Sequence, residues 1–350
     1  MCFMKKCRGC GIPLQTKDKE GVGYVVDLEQ DYCQRCFRLS HYGDTGHFKT
    51  NYVTNEKIIN IYNRYSNALF VLIVDILDAF CLKEDDLLEL FKGRDVLMII
   101  NKTDLLPENM TERKIDRLFS KILFDLNSRY GNIRAALLTN KFESRFNEQF
   151  FQLLKELGRD TIVFAGRANA GKSSLINKLL NSKSLTTSIY PGTTLEEVEI
   201  AYKNYRFVDT PGLVDVDNYA TYLNIEKYKL SKIDKMIRPQ VFQVKDPQSY
   251  FYFGLLRVDI IPKDKASVTF YINNQNKIHR TRYENGDDYY QKHYCEFVLR
   301  VKPLGITDYS IQKEKLIVIK GLGMIKINGE CLAYVHSLAN CRLYECELTI

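Results

Sequence analysis

No stretch of this 350-residue chain stays apolar for the roughly 18–20 residues that a membrane-spanning helix requires. The longest apolar run, Ala68–Val74, has the length of a buried strand. The opening Met-Cys-Phe-Met-Lys-Lys-Cys contains no apolar segment of the secretory kind, so the expected location is the cytoplasm. Nor is there an acylation motif or a basic amphipathic helix, which argues against a membrane-surface protein. Internal repeats and low-complexity tracts are absent too. With 45% hydrophobic and 27% charged residues, the composition is that of a folded globular protein rather than a disordered or fibrous one.

What is present is unevenly distributed. Four of the ten cysteines form two Cys-x-x-Cys pairs, Cys7/Cys10 and Cys33/Cys36, separated by 22 residues. In a chain expected to stay in a reducing compartment, such pairs read as metal ligands rather than disulfides. Four thiolates complete a tetrahedral structural zinc site and leave no open position for catalysis. A segment as short as residues 1–48 also needs such a staple to fold. The remaining cysteines are scattered and read mostly as packing residues. The net charge is +7, with the excess in the flanks: residues 1–50 contribute +2, 51–236 contribute +1 and 237–350 contribute +4. That balance permits a polyanionic partner without requiring one.

Three segments separate by pattern. Residues 1–48 hold the cysteine pairs. Residues 55–236 alternate apolar strands (Leu69–Ile76, Asp95–Ile100, Arg134–Leu138, Thr161–Ala165, Val198–Tyr202, Arg206–Val208) with helical stretches (Thr111–Tyr130, Ser144–Leu157, Lys172–Leu180). Such alternation predicts an α/β domain with a mostly parallel sheet, because parallel crossovers need a helix's length. Lys203-Asn204 joins two short runs and predicts one edge hairpin. From residue 237 to 350 the helical pattern stops. Tyr250–Ile261, Ser267–Ile272, Cys295–Val301, Leu316–Ile319, Met324–Ile327 and Leu343–Leu348 read as strands of an antiparallel β domain. Turn signals at Asn273-Asn274, Asn285-Gly286-Asp287 and Asn328-Gly329 separate them.

The chemistry sits in the middle segment. The strand Thr161–Ala165 runs into Gly166-Arg167-Ala168-Asn169-Ala170-Gly171-Lys172-Ser173 and then a helix, which is G-x-x-x-x-G-K-S in its strand–loop–helix context. Backbone N–H groups of such a loop and the helix N-terminus cradle phosphates. Lys172 is expected at the β- and γ-phosphates and the Ser173 hydroxyl on Mg²⁺. Gly166, Asn169, Ala170, Gly171, Lys172, Ser173 and Ser174 form the candidate nucleotide-binding loop. Asp209-Thr210-Pro211-Gly212 ends another strand: Asp209 is expected to hold Mg²⁺ through water, and the Gly212 N–H to sense the γ-phosphate. Between these motifs lies Pro191-Gly192-Thr193-Thr194, where one threonine can close on Mg²⁺; the spacing leaves open whether Thr193 or Thr194 does so. Lys172, Asn169, Thr194 and Gly212 are the candidate catalytic residues.

Asn101-Lys102-Thr103-Asp104 follows the strand Val96–Ile100, and N-K-x-D at a strand end reads guanine. The Asp104 carboxylate accepts from the ring N–H and the 2-amino group, while adenine would leave it unpaired, a mismatch able to discriminate by roughly 10⁴ or more. Asn101 ties the loop to its neighbours, and the Lys102 stem lies along the ring. The loop after Leu138, beginning at Thr139, stands where a second base-contacting loop belongs, although the usual Ser-Ala-Lys is missing. The order is inverted: the base reader precedes the phosphate loop. A parallel sheet tolerates this if old termini are joined and new ones opened.

Taken together, Cys7-x-x-Cys10 with Cys33-x-x-Cys36, the reader at 101–104, the loop at 166–173, Pro191–Thr194 and Asp209–Gly212, in that order, resemble the circularly permuted GTPases of the YqeH type over nearly the whole chain. With the structural zinc read from the cysteine spacing, the resemblance implies a zinc-stapled, Mg²⁺-dependent GTPase that binds GTP/GDP and acts in assembly of the small ribosomal subunit, with a subunit precursor or its RNA as partner. It also implies that Asn169 helps to hold K⁺. Where other GTPases place Gln to orient water, this chain has Leu213, so slow basal turnover is expected. A competing expectation is an RNA-binding assembly scaffold for which GTP is a regulatory ligand with negligible turnover. His279-Arg280-Thr281-Arg282-Tyr283 mixes basic and aromatic residues as RNA-contacting segments do, and as many ordinary strands do.

Overall fold

Strands buried on both faces need no polar alternation, and the two most apolar runs of the chain are of this kind. They form β1 (Leu69–Asp75) and β2 (Val96–Asn101), in which Leu69–Ile73 and Val96–Ile100 are wholly buried. β3 (Ile133–Leu138), β4 (Thr161–Ala165), β5 (Val198–Tyr202) and β6 (Tyr205–Asp209) complete a six-stranded sheet of order β3-β2-β1-β4-β6-β5. All neighbours are parallel except β5 and β6, which form the expected hairpin, with Lys203 in the left-handed region at φ 55°. The computed structural model describes residues 5–42, 53–140, 145–181, 185, 194–223, 225–297 and 304–346.

Alternation along β1 sends its side chains to two layers. Leu69, Val71 and Ile73 join Phe146, Phe150 and Leu154 of the helix Phe146–Leu157 and Leu175, Ile176 and Leu179 of the helix Lys172–Leu179. Phe70 points the other way and meets Tyr62 and Phe91 at centroid distances of 5.6 Å each. Tyr62 belongs to the helix Asn55–Arg64, which Thr54 caps by accepting from the Lys57 amide.

The strand order fixes where a ligand can bind. From β1 the chain steps outward through β2 to β3; β4 then starts on the opposite side of β1, and β6 and β5 continue outward from there. Read from β4 onward and closed back through β1, the succession would put the phosphate loop first and the base reader after it. The reversal lies between β1 and β4, and in open parallel sheets the crevice at the carboxyl ends of such a pair takes the ligand.

These strands, the cysteine module and the segments up to Val214 make one compact unit, comprising residues to Asp75, Asp86–Thr103 and Leu123–Val214. A second unit comprises Ile76–Asp85, Asp104–Ile122 and Asp215 onward. Its strands are β7 (Gln240–Val244), β8 (Gln248–Tyr252), β9 (Leu256–Pro262), β10 (Ala266–Tyr271), β11 (His279–Arg282), β12 (Leu304–Ile311), β13 (Glu314–Ile319), β14 (Gly323–Asn328), β15 (Cys331–Leu338) and β16 (Tyr344–Cys346). They form two antiparallel five-stranded sheets, β16-β13-β14-β10-β7 and β11-β8-β9-β15-β12. One apolar core joins them, with Tyr250, Val258, Ala333 and Val335 from one sheet and Val268, Phe270, Ile317 and Ile325 from the other.

Three expectations for this region are corrected. Tyr250–Ile261 is not one strand but the hairpin β8–β9, turning at Phe253-Gly254. Asn285-Gly286-Asp287 does not turn the chain between strands: Gly286 opens the helix Gly286–His293. Cys295–Phe297 form a turn after that helix rather than the start of a strand, and residues 298–301 of that expected strand lie outside the described residues. His279–Arg282 of the basic–aromatic segment form the edge strand β11, which among the described residues pairs with β8 alone, and Tyr283 opens the turn after it.

Candidate functional site

The loop after β4 is held by the carboxyl ends of its neighbours. From the end of β2, the Asn101 side-chain amide donates to the Ala170 carbonyl at 2.9 Å. Lys102 sits in the left-handed region at φ 65°, and its ammonium donates to the Asn169 carbonyl at 2.7 Å and pairs with Asp75 at the end of β1. The two leading residues of the base-reading segment thus grip the phosphate loop within one unit. Lys102 reaches toward that loop, where the sequence suggested only stacking along a base. Asp104, half-buried, follows in a short turn of 3₁₀ helix, Thr103–Leu105. Thr139 is buried at the end of β3; its amide donates to the Ile100 carbonyl and its own carbonyl accepts from the Thr103 amide.

Gly171 closes the loop at φ 100°, and a Cβ there would stand 2.3 Å from the Asn101 amide nitrogen. Lys172 begins the helix and is buried, its ammonium donating to the carbonyls of Gly166 (3.2 Å) and Arg167 (2.9 Å). Burial lowers its pKa to about 8, against the opposing pull of the Asp209 carboxylate. Ser173 follows, half-buried, and Ser174 is exposed.

Gly212 meets the loop from the other side. A Cβ there would fall 2.5 Å from the Ala168 Cα and 2.9 Å from the Lys172 ammonium, so the approach needs glycine. The Leu213 amide then donates to the Gly166 carbonyl, while the Leu213 carbonyl accepts from the Ala168 amide at 2.9 Å. The Leu213 side chain is itself buried.

Asp209, at the end of β6, is fully buried; its Oδ2 accepts from the hydroxyls of Ser173 (2.8 Å) and Thr194 (3.0 Å). Its Oδ1 is buried without a hydrogen-bond partner among the described residues. Burial pushes its pKa up, against the pull of Lys172 and the two hydroxyls. Two hydroxyls and a carboxylate with an idle oxygen are hard donors that fit Mg²⁺. Thr193 lies outside the described residues; Thr194 is buried on the carboxylate.

The second cluster is the cysteine module. The Sγ atoms of Cys7, Cys10, Cys33 and Cys36 lie within 4.8 Å of one another, all buried. Four thiolates at Zn–S bonds of about 2.3 Å require sulfurs about 3.8 Å apart in a tetrahedron. Cys10 and Cys33 stand at 3.8 Å, so the donor set fits zinc in chemistry and in spacing.

Comparison with known proteins agrees along the chain. A zinc ribbon domain matches residues 6–71, the 50S ribosome-binding GTPase family matches residues 161–270, and the YqeH-like C-terminal domain matches residues 265–340. The chain is YqeH-like. It is similar to YqeH of Bacillus subtilis (strain 168), 29% identical with 92% of each chain covered. It is also similar to NO-associated protein 1, chloroplastic/mitochondrial, of Arabidopsis thaliana, 25% identical over 82% of this chain and 60% of that protein. GTPase Der of Thermotoga neapolitana is 30% identical over 43% of this chain and 39% of that protein. A YqeH-like chain with this loop is a GTP-binding protein of the GTPase class, and Mg²⁺ and a zinc ribbon go with it. Among the described residues, no helix is long and apolar enough to cross a membrane.

One buried charge cluster has no sequence signal. In the second unit Lys320 is fully buried, with its ammonium 2.6 Å from Asp85, 3.2 Å from Asp215 and 3.0 Å from the Tyr344 hydroxyl. The Tyr344 hydroxyl in turn donates to Asp217 at 2.6 Å. Asp215 and Asp217 follow Gly212 by three and five residues in the chain.

Proposed function

We propose that this chain hydrolyses GTP to GDP and phosphate in the cytoplasm during assembly of the small ribosomal subunit, with the subunit precursor or its RNA as partner. The observation that carries the nucleotide part is the grip of Asn101 and Lys102 on Ala170 and Asn169, which joins two motifs written in reversed order. In this reading the loop amides and the Lys172 ammonium receive the β- and γ-phosphates, Asp104 selects guanine, and the Gly212 N–H senses the γ-phosphate. Ser173, Thr194 and Asp209 hold Mg²⁺, which when bound neutralises phosphate charge. Water attacks the γ-phosphorus and GDP leaves. With Leu213 buried at the position of a water-orienting Gln, basal turnover is slow, and K⁺ beside Asn169 is the proposed source of added positive charge.

The ribosomal part rests on the family likeness and on the second unit. Edge strand β11 presents His279, Arg280 and Arg282 to solvent, and the His279 ring stacks on Tyr289 at 3.9 Å. The Asp215–Lys320–Tyr344–Asp217 cluster is the proposed relay by which loss of the γ-phosphate reaches that unit. An RNA-binding scaffold without turnover is the second reading, and the buried Leu213 favours it.

Phosphate release measured in K⁺ and in Na⁺, with and without small ribosomal subunits, separates the two. Release stimulated by either addition supports the enzyme, and none under any condition leaves the scaffold. Competition of GTP against ATP, repeated with Asp104→Ala, tests the base: loss of guanine preference in the variant alone is expected, and equal binding of both purines by the unmodified protein would overturn the reading. Co-sedimentation with subunits across nucleotide state and salt tests the partner, and failure to bind in every state removes it.

A further inference from the structure

The cysteine module touches the segment that leads into β5 through Leu195 and Glu196. The Cys10 carbonyl accepts two consecutive amides, from Leu195 at 2.9 Å and from Glu196 at 3.0 Å. Leu195 is 4% exposed, and its side chain is part of the module's own core, packed with Cys7, Cys10, Leu14, Val25, Cys33 and Cys36. Gly11, at φ 80°, lies against the next peptide: a Cβ there would stand 2.6 Å from the Glu196 carbonyl oxygen. Lys6 pairs with the Glu196 carboxylate at 3.3 Å. One residue earlier in the chain, the Thr194 hydroxyl donates to Asp209 Oδ2 and lies 3.3 Å from the Ser173 hydroxyl. Two residues after Glu196, at Val198, β5 begins.

Residue 195 is therefore a plug in one core, and residue 194 is a candidate ligand in another site. Adjacent Cα atoms are 3.8 Å apart, so an apolar seat for Leu195 limits where the Thr194 hydroxyl can go. The seat is built from the four cysteines, and it can exist only while they are drawn together, since a module this small has little else to hold it.

We propose that Leu195 and the Cys10 carbonyl are positioning groups for the triphosphate state: the zinc-holding module seats Leu195–Glu196 and so presets Thr194 over Asp209 and Ser173. This rests on the GTP reading above and deepens it. The site for GTP with Mg²⁺ is then partly paid for in advance by the metal module, whereas GDP, which needs no γ-phosphate-side threonine, is indifferent to it.

The test uses the full chain and two perturbations. Leu195→Ala removes the plug but leaves every cysteine and every backbone donor. Its zinc content should remain one per chain by chelator colorimetry, GTP affinity in Mg²⁺ should fall about tenfold, and GDP affinity should stay within about twofold. In the unmodified protein, stripping zinc should accelerate amide hydrogen exchange at Leu195 and Glu196 and produce the same GTP-selective loss, and adding zinc back should reverse both. Unchanged GTP affinity in Leu195→Ala, or equal loss of both nucleotides, overturns the proposal. So does exchange at residues 195–196 that ignores the metal, a readout that stands even if the variant folds poorly. If the unmodified, zinc-loaded protein binds neither guanine nucleotide, the GTP reading fails first and this inference with it.

Discussion

Lys172 is the residue whose physical state says most about the site. A buried ammonium whose pKa is pulled to about 8 is held in part by carbonyls rather than by an anion. Because the folded value lies below the unfolded one, the unfolded chain binds more protons between about pH 8 and 10.5, and the native state gains stability as pH rises through that window. Lys172→Met should accordingly abolish this rise, leaving the stability of the nucleotide-free variant flatter than that of the unmodified protein between about pH 8 and 10.5, as urea unfolding will read. Phosphates restore the proton. GTP binding near pH 8 should take up about half a proton per site, measurable by calorimetry in buffers of different ionisation enthalpy; zero uptake would mean that the amine does not meet the phosphates. Lys172 is legible in the sequence because its role depends on a local loop. Lys320 is not: it stands in an unremarkable basic stretch, and its partner Asp85 is 235 positions away. Truncating one member of such a pair strands the other charges, so Lys320→Ala should cost about 3–5 kcal/mol by the same measurement.

Among the elements, legibility follows the same line. β1, β2 and β4 are plain in the sequence because strands buried on both faces need only an apolar run of the right length. The β8–β9 turn is hidden because Phe253 occupies φ 49° and Gly254 φ 67°, where a hairpin would ordinarily show Asn-Gly. Left-handed geometry is costly for a bulky residue. Phe253→Asn should therefore raise the stability of the second unit by about 1 kcal/mol, seen as a higher melting temperature, and a lowered one would show that the ring's contact with Tyr252 outweighs the backbone term. Gly286 misleads in the opposite sense. It looks like a turn glycine, yet its backbone is right-handed helical at φ −61°; it is glycine because a Cβ would stand 2.6 Å from the Arg257 guanidinium and 2.7 Å from the Ser249 hydroxyl. Periodicity reads backbone preference, and it cannot see close packing from a distant strand.

At the scale of the whole chain, the order of motifs announces a permuted sheet, and the observed order β3-β2-β1-β4-β6-β5 has the reversal that such a permutation needs. The gathering of the four cysteine sulfurs too is foretold by spacing alone. What spacing cannot convey is that the cluster's core takes in Leu195, 159 residues downstream of Cys36. The module should therefore report on the metal as one body: titration of the thiols with a mercurial should release about one zinc per four thiols and expose the aromatic and apolar residues of that core together. Release in unequal steps, with part of the zinc leaving before all four thiols react, would mean that fewer than four cysteines bind it.

The place of β1 between β2 and β4 also has a price in time on the ribosome. β2 reaches it early, but its other flank is covered by β4, about 90 residues later, a wait of roughly 5–20 s at ordinary elongation rates. For that interval Leu69–Asp75 offers an open row of peptide groups flanked by bare aliphatic side chains, the kind of template on which nascent chains cross-pair. A chaperone that shelters this flank, or expression sparse enough to keep nascent chains apart, is what the permuted layout asks of any cell that makes the protein.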